Sequence, residues 1–238
     1  MKRKKLTASM IALVMSVSLP MTTYAANWYL EDGSVTVNAD NSGQTVTQGS
    51  NPAVSDEAPV ITQRESSVET GNTIAINASE NATANVTIKD INIKSSNDAI
   101  DVTGSSSANI TLEGDNKIFS ETGSALHISD GNVTINGSGS LKAEIQDEPF
   151  GYNHNAKIGS HENEDMSGSI HITGDATVKT DDNTTLGCSG DGAGIGSGYD
   201  GDMSGNIVID GNAQVEVSSN DRGAGIGSGS SFGDGGHL

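Results

Sequence analysis

Two aspartates set at the same interval behind equivalent isoleucines are the most chemically suggestive pair in this 238-residue chain: Asp165 lies seven residues past Ile158, and Asp202 seven past Ile195. If the chain stacks on itself in register, these carboxylates sit one above the other, flanked by Glu162, Glu164 and Asp200. Like carboxylates one strand spacing apart repel unless a proton or cation lies between them. Oxygen-only ligation by carboxylates and loop carbonyls suits Ca²⁺ rather than Zn²⁺. These five acidic residues are the candidate Ca²⁺ site. The competing reading is a solvated ridge with its side chains splayed apart.

The segment between Leu141 and Ile158 is a second candidate, holding Glu144, Asp147, Glu148, Phe150, Tyr152 and His154. Long loops on rigid scaffolds often carry function. Phe150 and Tyr152, together with Tyr199, are the aromatic side chains offered for stacking on a sugar ring. A loop folded over the side of the scaffold is the plainer account.

Catalysis asks for more than the chain supplies. A lyase needs a basic residue beside bound Ca²⁺ to remove a proton, and a hydrolase needs paired carboxylates as acid and base. Beyond the N-terminal 25 residues the basic side chains are Arg64, Lys89, Lys94, Lys117, Lys142, Lys157, Lys179 and Arg222. Asp181-Asp182 is a carboxylate pair, but neighbours on a strand face opposite ways. His127, His154, His161, His171 and His237 show no metal-ligand spacing and no triad. The expectation is a protein without enzymatic activity.

What must position these residues is a repeat. β-Branched or leucine-ended triplets recur at Val86-Thr87-Ile88, Ile110-Thr111-Leu112, Val133-Thr134-Ile135, Ile170-His171-Ile172 and Ile207-Val208-Ile209, at intervals of 24, 23, 37 and 37 residues. Apolar–polar–apolar runs bounded by turn residues are strand signals, and their recurrence marks a solenoid. Asn85, Asn109, Asn132 and Asn206 each precede a triplet, with Ser169 in the fourth coil, so a stacked Asn ladder is expected. Gly turns follow four of the triplets, at Gly114, Gly137, Gly174 and Gly211. A second apolar strand comes eight residues after the start of each of those four triplets, at Ile118, Leu141, Val178 and Val215, while the first coil uses Ile91 and Ile93. A third apolar position closes every coil at Ile100, Leu126, Ile158, Ile195 and Ile226. Three short strands and three turns per coil predict an all-β fold, a right-handed parallel β-helix of triangular section. Head-to-tail repetition argues against a β-sandwich, which needs hairpins and reversing connections.

Residues 73–238 carry these coils, and residues 26–72 read as an N-terminal cap with degenerate coils at Val35–Val37, Val46, Val60-Ile61 and Ile74–Ile76. Trp28 and Tyr29 close the open end of the apolar stack or, alternatively, Trp28 stacks on a sugar. The runs Gly192–Gly198 and Gly223–Gly229 are both GAGIGSG, with an eroded copy at Asn155–His161. They lack the Gly-Lys-Ser/Thr ending and following helix of a phosphate loop, so close packing at a solenoid corner is the better reading. Leu238 falls 12 residues after Ile226, where the next strand would begin, and this suggests the front part of a longer protein.

The Asn-Val-Thr-Ile and Asn-Ile-Thr-Leu coils, the Gly137–Leu141 turn and the GAGIGSG loops resemble a family of secreted carbohydrate-binding β-helix proteins from clostridia and related Gram-positive bacteria. The resemblance covers roughly residues 73–238. It implies a pectate-lyase-like solenoid and, as a ligand class, acidic polysaccharide bound with Ca²⁺.

Lys2-Arg3-Lys4-Lys5, an apolar stretch from Leu6 to Leu19 and small residues at Ala25-Ala26 form a secretory signal peptide, so the mature chain is expected outside the cell or on its surface. Four of the 12 basic residues and none of the 31 acidic ones lie in that leader, leaving 8 against 31, a formal charge of −23. Such a surface repels nucleic acid and anionic lipid. On net charge alone an acidic polysaccharide needs a bridging metal. The single cysteine, Cys188, excludes an intramolecular disulfide. Three functions stay open: a carbohydrate-binding surface module, a structural stalk or adhesin segment with a protein partner, and a polysaccharide lyase. The first is preferred.

Overall fold

The computed structural model describes residues 26–103, 107–146, 153–181, 190–218 and 222–231. The leader, Phe150, Tyr152, Asp182, Cys188, His237 and Leu238 lie outside the described residues. The chain is all-β and winds as a parallel β-helix, its strands stacked into three sheets. The first sheet contains β1 (Asn27–Tyr29), β5 (Val60–Thr62), β7 (Thr83–Lys89), β10 (Ser107–Glu113), β13 (Asn132–Gly137), β16 (Ser169–Ile172) and β19 (Ile207–Ile209). The second stacks β8 (Asn92–Ser95), β11 (Asp115–Ser120), β14 (Ser140–Ile145), β17 (Thr177–Thr180) and β20 (Gln214–Val217). The third runs through β6 (Ile74–Ala78), β9 (Ile100–Thr103), β12 (Leu126–Ile128), β15 (Ile158–Gly159), β18 (Ile195–Gly196) and β21 (Ile226–Gly227).

Alternation explains each triplet. In Val86-Thr87-Ile88 the two apolar side chains are buried and the threonine lies between them at the surface, as the pleat demands. Burying one isoleucine contributes about 1.5–3 kcal/mol, and the interior is built almost wholly from such columns. The third column is in register throughout: Ile100 pairs with Leu126, Leu126 with Ile158, Ile158 with Ile195, and Ile195 with Ile226. In the last described coil the stack has no neighbour above it, and Ile226 of the third column is 45% exposed, as is Ile209 of the first sheet at 41%.

The first two columns shift by two residues between the second and third coils. Ile110 pairs with Val86 on one side but with Ile135, not Val133, on the other. Asn109 donates to Asn85 Oδ1 at 3.0 Å, yet it faces Thr134 on its far side, so the expected Asn ladder stops there. The same displacement sets Leu141 beside Asn116 and Ile118 beside Ala143. Asn116, inward by alternation with Ile118, is fully buried beside Leu141. Its Nδ2 donates to the carbonyls of Glu113 and Ser140 (3.1 and 3.0 Å), and its Oδ1 accepts from the Ile91 amide (3.3 Å), which satisfies an otherwise costly polar group. Gly137 lands opposite Leu112 with φ +104°, where a Cβ would sit 2.3 Å from the Leu112 carbonyl oxygen. A side chain is excluded there on both counts.

In the N-terminal region Val35–Val37, Val60-Ile61 and Ile74–Ile76 join the parallel sheets as coil strands, but Val46 does not. β2 (Val35–Asp40) and β3 (Gly43–Gln48) form an antiparallel hairpin, and β4 (Val54–Ser55) adds to β3 antiparallel. A terminal coil has no neighbour on one side, and folding a hairpin over it supplies one. Buried Gln44 ties the hairpin down: its Nε2 donates to Asp56 and Asn85 carbonyls, both at 3.0 Å, and its Oε1 accepts from the Asn85 amide at 2.8 Å. Trp28 packs against the apolar core and donates from Nε1 to Asp56 Oδ2 at 2.8 Å.

Candidate functional site

The expected acidic ridge is divided. Met166 bridges Met203 in parallel, which brings Asp165 and Asp202 to stacked positions, but the Asp202 amide donates to Asp165 Oδ1 at 2.9 Å. Glu162 and Asp200 are exposed; the Glu162 amide donates to Asn155 Oδ1. Glu164 turns away from Asp165 towards His127. Tyr199 packs at a 42° tilt on His154, with ring centroids 5.1 Å apart. Glu144 lies on β14, in the second sheet.

The structure brings together residues that spacing did not connect. His127, on β12, is only 9% exposed and stands in register beside Asp101 of β9. Its Nδ1 lies 2.8 Å from Asp101 Oδ1 and its Nε2 2.9 Å from Glu164 Oε2. The column continues from His127 to Gly159, which contributes no side chain, and the ring of His161 stacks on His127 at 3.9 Å and 6°. His161 Nε2 in turn meets Asp98 Oδ1 at 2.7 Å.

Turn chemistry holds the cluster. Asn163 takes φ +59°, the Ser160 hydroxyl donates to the Glu164 carbonyl at 2.7 Å, and the His161 amide donates to Glu164 Oε2 at 3.0 Å. The Ser124 amide donates to Asp98 Oδ1 at 2.8 Å. Gly123 must lack a side chain, because a Cβ would come within 2.3 Å of that same oxygen.

Burial alone would drive the His127 pKa down. Hydrogen bonds to Asp101 and Glu164, with the charges of Glu164 and Asp98, outweigh it and raise the value to about 9. His127 is thus an imidazolium at neutral pH, donating from both nitrogens. Burial pushes Asp98 and Glu164 up, but the two histidines and backbone amides hold both below the usual carboxylate values. The position of Asp101 and His127 one residue after Ile100 and Leu126 was the signal that could have exposed their stacking.

A second constellation lies on the second sheet. Its outward row runs Asn92, Lys117, Lys142, Lys179 and Glu216, each in register with the next. The adjacent row begins with Lys94 beside Phe119 and Phe119 beside Glu144. Four of the eight basic side chains outside the leader therefore share one face of a strongly acidic chain. Like charges stacked directly on neighbouring strands are destabilising. Lys142 is offset by Glu144 at 2.9 Å and Asp181 at 3.1 Å, and Lys179 by Glu216. The Glu144 hydrogen bond, against a smaller effect of burial and with help from Asp181, raises the Lys142 pKa. Lys117 is exposed and has no carboxylate within ion-pair distance among the described residues.

This row forms one wall of a groove of about 460 Å³ running across several coils. Hydroxyls of Ser66, Ser67 and Thr177 line it alongside the three lysines, with apolar Ile91 and Leu141 and with Ser140, whose hydroxyl donates to the Asp115 carboxylate at 2.9 Å. Beside it, a second depression of about 310 Å³ is bordered by Lys94, Phe119 and Glu144, with Lys94 Nζ 5.4 Å from the centroid of the Phe119 ring. Net charge had suggested that an anionic polymer needs a bridging metal. The stacking instead gathers cations locally, so direct contact is physically open. No helix of the described residues is long and apolar enough to cross a membrane. Comparison of the chain with family models, with curated proteins and with solved structures gave no match.

Proposed function

We propose that the chain is a secreted or surface-exposed, non-catalytic carbohydrate-binding module that holds an acidic polysaccharide along its second sheet. The single observation that carries this reading is the lysine row Lys117–Lys142–Lys179 along a groove of mixed apolar and hydroxyl lining. Stacked coils place one cation every strand spacing, about 4.8 Å, which suits a polymer with a repeating anionic group lying along the solenoid axis. Serine and threonine hydroxyls then exchange hydrogen bonds with sugar hydroxyls, and Phe119 offers an apolar edge in the adjacent row. The contact needs no bridging Ca²⁺, while the Asp165/Asp202 ridge supplies the alternative, Ca²⁺-dependent route.

The ion pairs of Lys142 and Lys179 favour a second reading, in which the charges knit coils of a structural stalk and bind no glycan. Array binding of the chain to acidic polysaccharides, repeated with chelator and with added salt, separates the three. Salt-sensitive, chelator-resistant binding weakened about 10-fold by Lys117→Ala supports the lysine row. Chelator-sensitive binding moves the site to the ridge. No binding by a folded sample supports the stalk.

A further inference from the structure

The histidine–carboxylate cluster on the third sheet takes no part in the proposed glycan contact. We infer that Asp98, His127 and His161 form a binding site for a divalent first-row transition metal, represented by Zn²⁺, with Glu164 as an additional carboxylate ligand. One ligating atom from each of the three lies within 4.8 Å of the others, near the span of ligands around a single ion. Glu164 Oε2 is 2.9 Å from His127 Nε2 and 3.8 Å from His161 Nδ1.

Asp101 completes the arrangement from outside. Its carboxylate holds His127 Nδ1 at 2.8 Å, the outer-shell pairing typical of metal-bound histidine, so Nε2, which donates to Glu164 in the metal-free chain, is the nitrogen that ligates once the ion displaces its proton to solvent. Charge favours a dication as well. Asp98, Asp101 and Glu164 face two imidazoles, so the carboxylates outnumber the rings even when both are protonated. Imidazole with carboxylate selects Zn²⁺, Ni²⁺ or Co²⁺ over Ca²⁺ and Mg²⁺. Ser124, whose amide binds Asp98 Oδ1, also carries a buried hydroxyl that has no hydrogen-bond partner among the described residues. Capture requires the stacked rings to tilt so that their lone pairs converge. His161 sits on a loop with its side chain 34% exposed, which gives it room to turn and the ion a way in.

The test is calorimetric titration of the full chain, stripped of metal by chelator and dialysis, with ZnCl₂ at neutral pH. A parallel titration with Co²⁺ reads the ligand field in its visible spectrum. One saturable Zn²⁺ site per chain is expected, unaffected by excess CaCl₂. Asp98→Asn and His161→Ala should each weaken it about 100-fold or more, and Asp101→Asn about 10-fold, as for an outer-shell partner. His171→Ala, which alters a histidine paired with Asp210 outside the cluster, should leave it unchanged. Absence of saturable Zn²⁺ heat from folded wild-type chain overturns the inference, as does wild-type affinity in both ligand variants or displacement by equimolar Ca²⁺. Circular dichroism reports folding of each variant. Should His161→Ala not fold, Asp98→Asn and the wild-type Co²⁺ spectrum decide.

Discussion

The histidine cluster and the lysine row are built by the same device, a column of outward side chains stacked coil upon coil, yet they end in opposite electrostatic states. On the third sheet, unlike groups meet: Asp101 beside His127, then Glu164 and Asp98 closing on both rings. Its central ring is nearly buried and bonded at both nitrogens. On the second sheet, three like charges stack in the open, and only flanking carboxylates soften the repulsion. Parallel stacking therefore amplifies whatever the repeat places at a position. Alternating sign yields a self-satisfied knot, and repeated sign yields a surface that gains from an external counter-charge.

Gly159 offers the most forceful way to break this contrast. A Cβ there would lie 1.7 Å from the Gly196 carbonyl oxygen, at φ +140°, directly in line with His127. Gly159→Val should cost about 3 kcal/mol or more and disrupt the cluster without altering the lysine row. Urea unfolding of both proteins measures it, and a loss below about 1 kcal/mol would show that the coils are free to move apart.

Titration sharpens the comparison next. The folded pKa of His127, about 9, exceeds its unfolded value of 6.5, so its stabilisation is complete below pH 6.5 and is lost as pH rises through about 9. The magnitude is about 3 kcal/mol. Asp98 and Glu164 are shifted the other way, so their contribution is present above the unfolded carboxylate values and disappears as pH falls through the folded ones. In chelator-treated chain, melting temperature should fall between pH 7 and about 9.5, and His127→Gln should abolish most of that fall. An unchanged slope in the variant would assign the effect elsewhere.

At a fixed neutral pH, His127→Ala should cost about 2 kcal/mol, because two carboxylates lose their shared donor. Asp101 and Glu164 are 34% and 37% exposed at the side chain, so water recovers part of the loss. Denaturant unfolding checks this figure. The smallest effect belongs to the other face: Lys117→Gln relieves stacking against Lys142 and should raise stability by a few tenths of a kcal/mol while weakening polyanion binding. A destabilised Lys117→Gln chain would mean that the row already holds its own counter-charge.

The third column was fully legible from sequence, because Ile100, Leu126, Ile158, Ile195 and Ile226 are each set off by a preceding alanine and pair as their order suggests. The shift in the other two sheets was not. A displacement of two residues keeps every apolar side chain inside, so the alternation that reveals a strand is blind to it. Only a one-residue slip would have shown. Asn116 points inward by alternation with Ile118, and the shift sets it beside Leu141, where it bonds both neighbouring coils.

Site residues divide along the same line. Asp165 and Asp202 stack because a 37-residue interval is repeated without interruption, and that interval is written in the sequence. His127, His161, Asp98 and Glu164 come from loops and coils of unequal length, so no linear spacing joins them. The lysines were visible as single residues, weighed as bases for a lyase and counted towards a net charge, but not joined into a row. By itself the sequence determined the strand pattern, the number of sheets and the composition of the third column, since these follow from local alternation and recurrence. The tertiary structure alone decided which coil positions face one another across a change in loop length, because backbone pairing between coils is satisfied equally well at either of two registers. That choice is what turned scattered histidines into a cluster and scattered lysines into a row.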